Sequence, residues 1–183
     1  MPRRITVRGT SGSGKSTFSA ELAQRLDLPW IELDALHHGP DWSAPTAEEF
    51  QDRIRAAMDA APDGWVIDGS YDSKLGDLVT GAADTIVWLD PPFRVFYPRL
   101  VRRTMHRVRH KVELWNGNRE TWRDQFASRE SIFYWTIKAH IRHQRSWPDR
   151  FGDDPRLVRL RSDAEAKRWL ECQPDAASQA GSG

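Results

Sequence analysis

Short runs of apolar residues alternate along the chain with longer stretches in which apolar positions recur every three or four residues. That rhythm predicts strands alternating with helices, and therefore a parallel sheet covered on both faces. Residues 4–8 read as a strand ending at Gly9. Phe18, Leu22 and Leu26, with Ala20 and Ala23, give residues 15–26 one apolar helical face. Trp30 to Leu36 reads as a second strand. After Pro45, Thr46-x-x-Glu49 has the form of a capping box and opens a helix through Phe50, Ile54 and Met58. Trp65-Val66-Ile67, ending at Asp68-Gly69, is a third strand, and Thr85–Leu89, closed by Asp90-Pro91-Pro92, a fourth. From Phe93 to about Arg145 the pattern is helical, bent at Pro98 and interrupted by the turn signal Asn116-Gly117-Asn118. Leu157–Leu160 is a fifth strand and Asp163–Leu170 a last helix. Gln173 to Gly183 is small and polar and is expected to be disordered. With no repeat and no linker, residues 1–172 read as one α/β domain.

Composition narrows this reading. The 183 residues suffice for one core, and 39% hydrophobic with 29% charged residues and a mean hydropathy of -0.68 describe a soluble globular chain. No apolar run approaches a membrane span, and the segment after Met1-Pro2-Arg3-Arg4 is too short for a secretory signal. Cys172 is alone and cannot close an internal disulfide, so a cytoplasmic setting is expected. The net charge of +1 conceals a sharp division. Residues 1–93 carry 8 basic and 15 acidic side chains, residues 94–145 carry 13 and 4, and residues 146–183 carry 6 and 7. Such a positive block suits nucleic acid, phosphate groups or a solvated helical face.

One motif selects among these. Gly9-Thr10-Ser11-Gly12-Ser13-Gly14-Lys15-Ser16, followed by Thr17, fits the phosphate-binding loop G-x-x-x-x-G-K-[ST] and lies where it must, between a strand and a helix. Its glycines let successive N–H groups point at phosphate oxygens, and the helix adds its positive end. Lys15 reaches the outer phosphates, and the Ser16 hydroxyl is placed for Mg²⁺. Asp68, at the end of the third strand, is the second metal candidate, holding Mg²⁺ through water; a turn-forming Asp-Gly pair is the plainer alternative. The base-reading N-K-x-D of GTPases is absent.

Through this loop, the Asp68-Gly69 strand end and an arginine-rich segment before the last strand, residues 3–172 resemble the adenylate-kinase-like small P-loop kinases. Leu33-Asp34-Ala35-Leu36-His37, Trp65 to Tyr71, Leu114 to Glu120 and Arg159-Leu160-Arg161-Ser162 look more closely like the bacterial adenylate-kinase-related "DNA topology modulation" type. The resemblance implies a P-loop NTPase three-layer sandwich with a five-stranded parallel sheet. It also implies a helical arginine-rich lid at about 103–124, an acceptor-binding insert at about 36–63, and ATP with Mg²⁺. Adenine is then expected near Arg161, with Arg103 or a neighbour stacking on it. One departure is clear: the Asp-Gly pair continues into Ser70-Tyr71-Asp72-Ser73-Lys74 rather than Phe-Pro-Arg, so the usual clamp on a nucleotide acceptor's phosphate is missing there.

On the acceptor side, Asp34 ends the second predicted strand and is the candidate base or hydroxyl anchor, with a strand cap as the alternative. His37 is a candidate polar contact or a plain loop residue, Trp42 a wall, and Gly69 and Tyr71 further neighbours. Arg53 or Arg55 could grip a phosphorylated acceptor. His37-His38 lacks a third ligand at useful spacing and is not read as a metal site. By resemblance, Arg103, Arg107, Arg119 and Arg123 contact the triphosphate and transition state. Arg99 and Arg102 precede Arg103 at helical spacing, and Arg119 and Arg123 follow the Asn-Gly-Asn turn. The interleaved Trp115, Trp122, Phe126, Tyr134 and Trp135 could instead form a nucleic-acid stacking platform. However, Ile132, Phe133, Trp135, Ile137 and Ile141 have core spacing. The expectation is a phosphotransferase acting on a small hydroxylated or nucleotide acceptor, as a monomer or homodimer. A nucleoside monophosphate kinase, a bare ATPase and a nucleic-acid-associated ATPase are the alternatives.

Overall fold

Strands β1 (Arg4–Gly9), β2 (Trp30–Glu32), β3 (Trp65–Asp68), β4 (Thr85–Leu89) and β5 (Leu157–Leu160) pair in parallel in the order β2-β3-β1-β4-β5. A computed structural model of the chain describes residues 3–121 and 132–175. Its helices are α1 (Lys15–Leu26), α2 (Leu33–His37), α3 (Ala47–Asp59), α4 (Asp72–Leu75), α5 (Leu78–Ala82), α6 (Phe93–Arg109), α7 (Ile132–Phe151) and α8 (Asp163–Glu171).

Alternation along the strands builds a core on each face of the sheet. Ile5 and Val7 of β1, with Val66 and Val87, meet Phe18 and Leu22 of α1 and Leu170 of α8. On the opposite face Trp65, Ile67, Ile86 and Trp88 meet Leu33, Phe50, Ile54, Trp147 and Phe151. Each fully buried Leu, Ile or Phe contributes about 1.5–3 kcal/mol relative to exposure. The parallel register aligns Val7 with Asp68 and Glu32 with Asp68, so the carboxyl ends of β1, β2 and β3 open onto one edge. In such a sheet this edge is where ligands bind.

The sequence expectations need three corrections. The second strand does not run to Leu36; it stops at Glu32, and α2 begins at Leu33. Leu33 and Leu36 have helical spacing and pack with the cluster around Phe50, which favours a short helix over continued pairing. The helical region also extends past Arg145, to Phe151, with Pro148 in its last turns. Third, Trp135 and Ile141 are not core residues: they are about half exposed, as is Tyr134. The buried face of α7 consists of Thr136, His143, Trp147 and Phe151, because this helix packs against a sheet face that carries Arg8. Arg25 donates to the Gln173 carbonyl at 2.9 Å, which anchors the chain just beyond α8. Among the described residues, no helix is long and apolar enough to cross a membrane.

Candidate active site

β1 ends at Gly9 and α1 begins at Lys15, so the intervening residues turn sharply over the sheet edge. Gly12 has φ 84°, and a Cβ there would stand 2.5 Å from the Phe96 carbonyl oxygen; only glycine fits. The loop closes on itself through Ser13 N–H to the Thr10 carbonyl at 3.1 Å. The Lys15 ammonium donates to the same carbonyl at 3.2 Å. Burial lowers the pKa of Lys15, while the nearby Asp34 and Asp68 carboxylates oppose that shift. The ammonium lies where the loop turns into α1, beside two carboxylates, and is placed to meet a phosphate.

Asp68 sits beside this lysine at the end of β3. Burial pushes its carboxyl up to about 6, against the pull of Lys15, and Glu32 and Asp34 add to the rise. The neighbouring Ser16 hydroxyl works weakly against the rise. Its Oδ2 is buried without a partner among the described residues. A hydroxyl and a carboxylate, both hard oxygen ligands with one oxygen still uncommitted, suit Mg²⁺.

Next to the loop lies a cavity of about 360 Å³ that brings together Lys15, Ser16, Asp34, Trp42, Tyr71, Arg103 and Arg107. Asp34 lies on α2, and the Tyr71 hydroxyl donates to its Oδ1 at 2.6 Å. Burial and the Asp34 carboxylate raise the pKa of the Tyr71 phenol, so it remains a proton donor. His37 lies behind this pair, its ring 4.6 Å from that of Tyr71. The Lys74 ammonium is 2.9 Å from His37 Nε2. Because an ammonium only donates, Nε2 is the acceptor and the proton of neutral His37 is on Nδ1. Burial, with Lys74 and His38 adding, lowers this histidine to about 4. Gly69 does not face the cavity; at φ 131° it lets β3 pass Leu33, whose Cβ would be 2.8 Å from an added Cβ.

The loop after α6 closes the cavity from above. Trp115 Nε1–H donates to Glu32 Oε2 at 2.7 Å. The Asn118 amide donates to the Gly39 and Trp115 carbonyls, and its oxygen accepts from the Trp42 N–H. Of the expected lid arginines, Arg103 is largely buried in the cavity, and Arg107 pairs there with Glu120 at 3.3 Å. Arg119 instead lies exposed and pairs with Glu113 at 3.5 Å. Arg123, Trp122 and Phe126 lie outside the described residues. Arg53 is also away from the cavity: it donates to the Leu36 carbonyl at 3.0 Å and borders a smaller outer pocket. Arg55 is exposed and engaged with Asp52 and Gln51.

A second cavity, of about 510 Å³, opens on the other side of the loop and is lined by Ser13, Gly14, Thr17, Leu89, Arg99 and Ser162, among others. This is the expected position for the base, but Arg99 borders it rather than Arg103. Arg99 forms two hydrogen bonds to Asp163, at the start of α8. Arg161 is exposed, and its N–H donates to Glu165 Oε2 at 2.7 Å.

Sequence reasoning missed Glu32 and Glu120, which both line the cavity that holds Asp34 and Lys15. It also missed an ion network under the loop. Arg8, 3% exposed, pairs with Asp72, which also accepts from Arg150 at 3.2 Å, and the Arg8 guanidinium lies over the Trp147 and Phe151 rings. Arg8 adjoins Gly9 and Asp72 adjoins Tyr71, so the pair joins the phosphate loop to the segment that holds Asp34. The signal available in sequence was a charged residue inside a buried strand.

No protein-family model and no curated protein matches the chain. Solved structures do. A gluconokinase from Sinorhizobium meliloti 1021 superposes with TM-score 0.53 at 20% identity over 93% of this chain and 94% of its own. A sugar kinase from Janibacter sp. HTCC2649 gives TM-score 0.56 at 20% identity over the same shares. With the five-stranded parallel sheet and the Gly9–Ser16 loop, these likenesses show the P-loop fold.

Proposed function

We propose that the chain is a small-molecule kinase that transfers the γ-phosphoryl group of ATP to a hydroxyl of its acceptor. The observation carrying this reading is that Asp34, held by Tyr71, lines the same cavity as Lys15, Ser16 and Arg103. A carboxylate suited to orient a hydroxyl thus faces the cations suited to neutralise a phosphoryl group. The solved neighbours, a gluconokinase and a sugar kinase, favour the same class. The sequence resemblance to adenylate-kinase-related proteins fits it as well. The single exposed Cys172 suits a cytoplasmic enzyme.

In this reading the Gly9–Thr17 segment cradles the triphosphate, with the base in the cavity beside Thr17 and Arg99. Ser16 and Asp68 would hold Mg²⁺, which when bound neutralises phosphate charge. Asp34 accepts the acceptor's hydroxyl proton or a share of it as the oxygen bonds to the γ-phosphorus. The bond from that phosphorus to the bridging oxygen breaks, and ADP leaves. Lys15 and Arg103 stabilise charge on the moving group. Arg107 lines the same cavity, paired with Glu120. A phosphorylated acceptor is disfavoured, because neither Arg53 nor Arg55 faces the cavity.

The test is a γ-phosphate transfer screen over nucleosides, nucleotides, sugars and small hydroxylated metabolites, with Lys15→Ala as blank. Labelling of a hydroxylated acceptor above the blank is expected. Hydrolysis that no acceptor stimulates would leave a bare ATPase, and labelling of nucleoside monophosphates alone would restore the nucleotide-kinase reading.

A further inference from the structure

The transfer step leaves two carboxylates of the acceptor cavity without a role. Glu120 is 7% exposed and lines the cavity; its Oε1 meets Arg107 at 3.3 Å, while Oε2 is buried with no partner among the described residues. Glu32, at the end of β2, lines the same cavity and accepts the Trp115 indole N–H. An ionised carboxylate can only accept hydrogen bonds, so a buried carboxylate oxygen without a donor, as Glu120 Oε2 is, carries a cost until a ligand supplies one. The charges lean the same way. Lys15 and Arg103 are committed to the triphosphate, which leaves Arg107, among the described lining residues, to answer Glu32, Asp34 and Glu120. The same cavity is also lined by Trp42, Tyr71 and Trp115, aromatic rings whose π faces attract cations.

We infer that the acceptor carries a protonated amine beside the hydroxyl that is phosphorylated, as in an amino sugar or amino alcohol, with the ammonium held by Glu120 and Glu32 among the tryptophan faces. The phosphorylated hydroxyl and the surplus of acidic charge rest on the kinase reading, which commits Lys15 and Arg103 to the triphosphate; the buried, unpartnered Glu120 Oε2 does not. An acidic acceptor would add repulsion to an already acidic wall. A neutral polyol would supply donors but leave the surplus charge uncompensated.

The test uses the full chain with a non-hydrolysable ATP analogue and matched trios of compounds on one carbon frame. Glucosamine, glucose and gluconate form one trio; ethanolamine, ethylene glycol and glycolate form another. Binding is read from tryptophan fluorescence, and transfer is read separately with ATP. In at least one trio the amine is expected to bind at least tenfold more tightly than both counterparts. Glu120→Gln should remove most of that preference. Glu32→Gln provides a second, independent variant, and retained nucleotide binding reports that either protein is folded. Equal or tighter binding of the neutral or acidic members in every trio overturns the inference, as does absence of amine binding. An amine that binds but is never phosphorylated supports the ammonium site and counts against the kinase. Transfer to a neutral sugar, indifferent to Glu120→Gln, supports the kinase and counts against the ammonium site.

Discussion

The Tyr71 hydroxyl donates to Asp34 Oδ1 at 2.6 Å and thereby joins the segment after β3 to the helix after β2. One carboxylate oxygen is fixed by this bond, which restricts the rotation of a side chain that lines the cavity. Asp34→Asn is expected to lower kcat at least about a hundredfold, the usual range for a lost proton acceptor, with nucleotide affinity little changed. Tyr71→Phe keeps the base but loosens it, and should lower kcat about tenfold, about 1.4 kcal/mol. Steady-state kinetics with the acceptor found by the transfer screen decides both. Near-normal turnover of the asparagine variant would remove Asp34 from the mechanism.

Asp68 predicts a pH dependence of metal–nucleotide binding. Its carboxyl is raised to about 6, so below that pH the protonated form competes with a divalent ion. Affinity for Mg²⁺ with an ATP analogue should fall as pH drops from 7 to 5, by up to about tenfold per unit below 6. Asp68→Asn should bind weakly with a flatter profile. The linked stability effect has the opposite sign to that of an ordinary ion-paired carboxylate. Asp68 contributes stability at pH below about 4, which is lost as pH rises through 6. Calorimetric titration at three pH values reads the binding arm.

The buried pair under the phosphate loop predicts an asymmetry. Asp72→Ala strips Arg8 of its carboxylate partner and should cost about 3–5 kcal/mol. Arg8→Leu leaves Asp72 with Arg150 at 3.2 Å, so it should cost clearly less. Urea unfolding of both variants measures this, and equal losses would contradict the account.

His143 is buried against Trp147, with ring centroids 3.8 Å apart and neither nitrogen partnered among the described residues. Burial, aided by Arg142 and Arg8, lowers it to about 3 from 6.5. It therefore contributes stability above pH 6.5 that is lost as pH falls toward 3, because the unfolded chain takes up the proton first. At pH 5 that loss is about 2 kcal/mol. His143→Phe should keep the stack and lose about 2 kcal/mol less than the parent between pH 8 and pH 5. Parallel acid profiles for the two proteins would show that His143 is not the titrating group.

Much of this architecture is legible in the sequence. The Gly9–Ser16 loop was readable because its spacing is dictated by the backbone curl itself. The box at Thr46 was readable because its partners lie three residues apart; both of its bonds form, Glu49 N–H to Thr46 Oγ1 at 3.2 Å and Thr46 N–H to Glu49 Oε2 at 2.8 Å. The break between β2 and α2 was not, since Ile31, Leu33 and Leu36 suit a strand or a single helical turn until Phe50 supplies a surface to pack on. The phase of α7 was misread for a related reason. Counting apolar residues selects the stripe with Trp135 and Ile141, but the stripe that faces the sheet carries Thr136 and His143. Glu120 could not have been found locally, because its significance comes from Arg107 and a cavity assembled from distant segments.

The two cavities meet across the phosphate loop, and their walls come from different stretches of chain. In the proposed assignment the base side draws on Ser13–Glu21, Leu89–Arg99 and Leu160–Leu170, whereas the acceptor side draws mainly on Glu32–Trp42, Tyr71, Arg103–Glu120 and Ile132–Trp135. Mutational drift in the second set can therefore remodel which molecule is modified while leaving the energy source untouched. The same separation invites a tethered inhibitor: an adenosine polyphosphate ending in a short amine, each end occupying its own chamber, with the phosphate chain lying over Gly14 and Lys15.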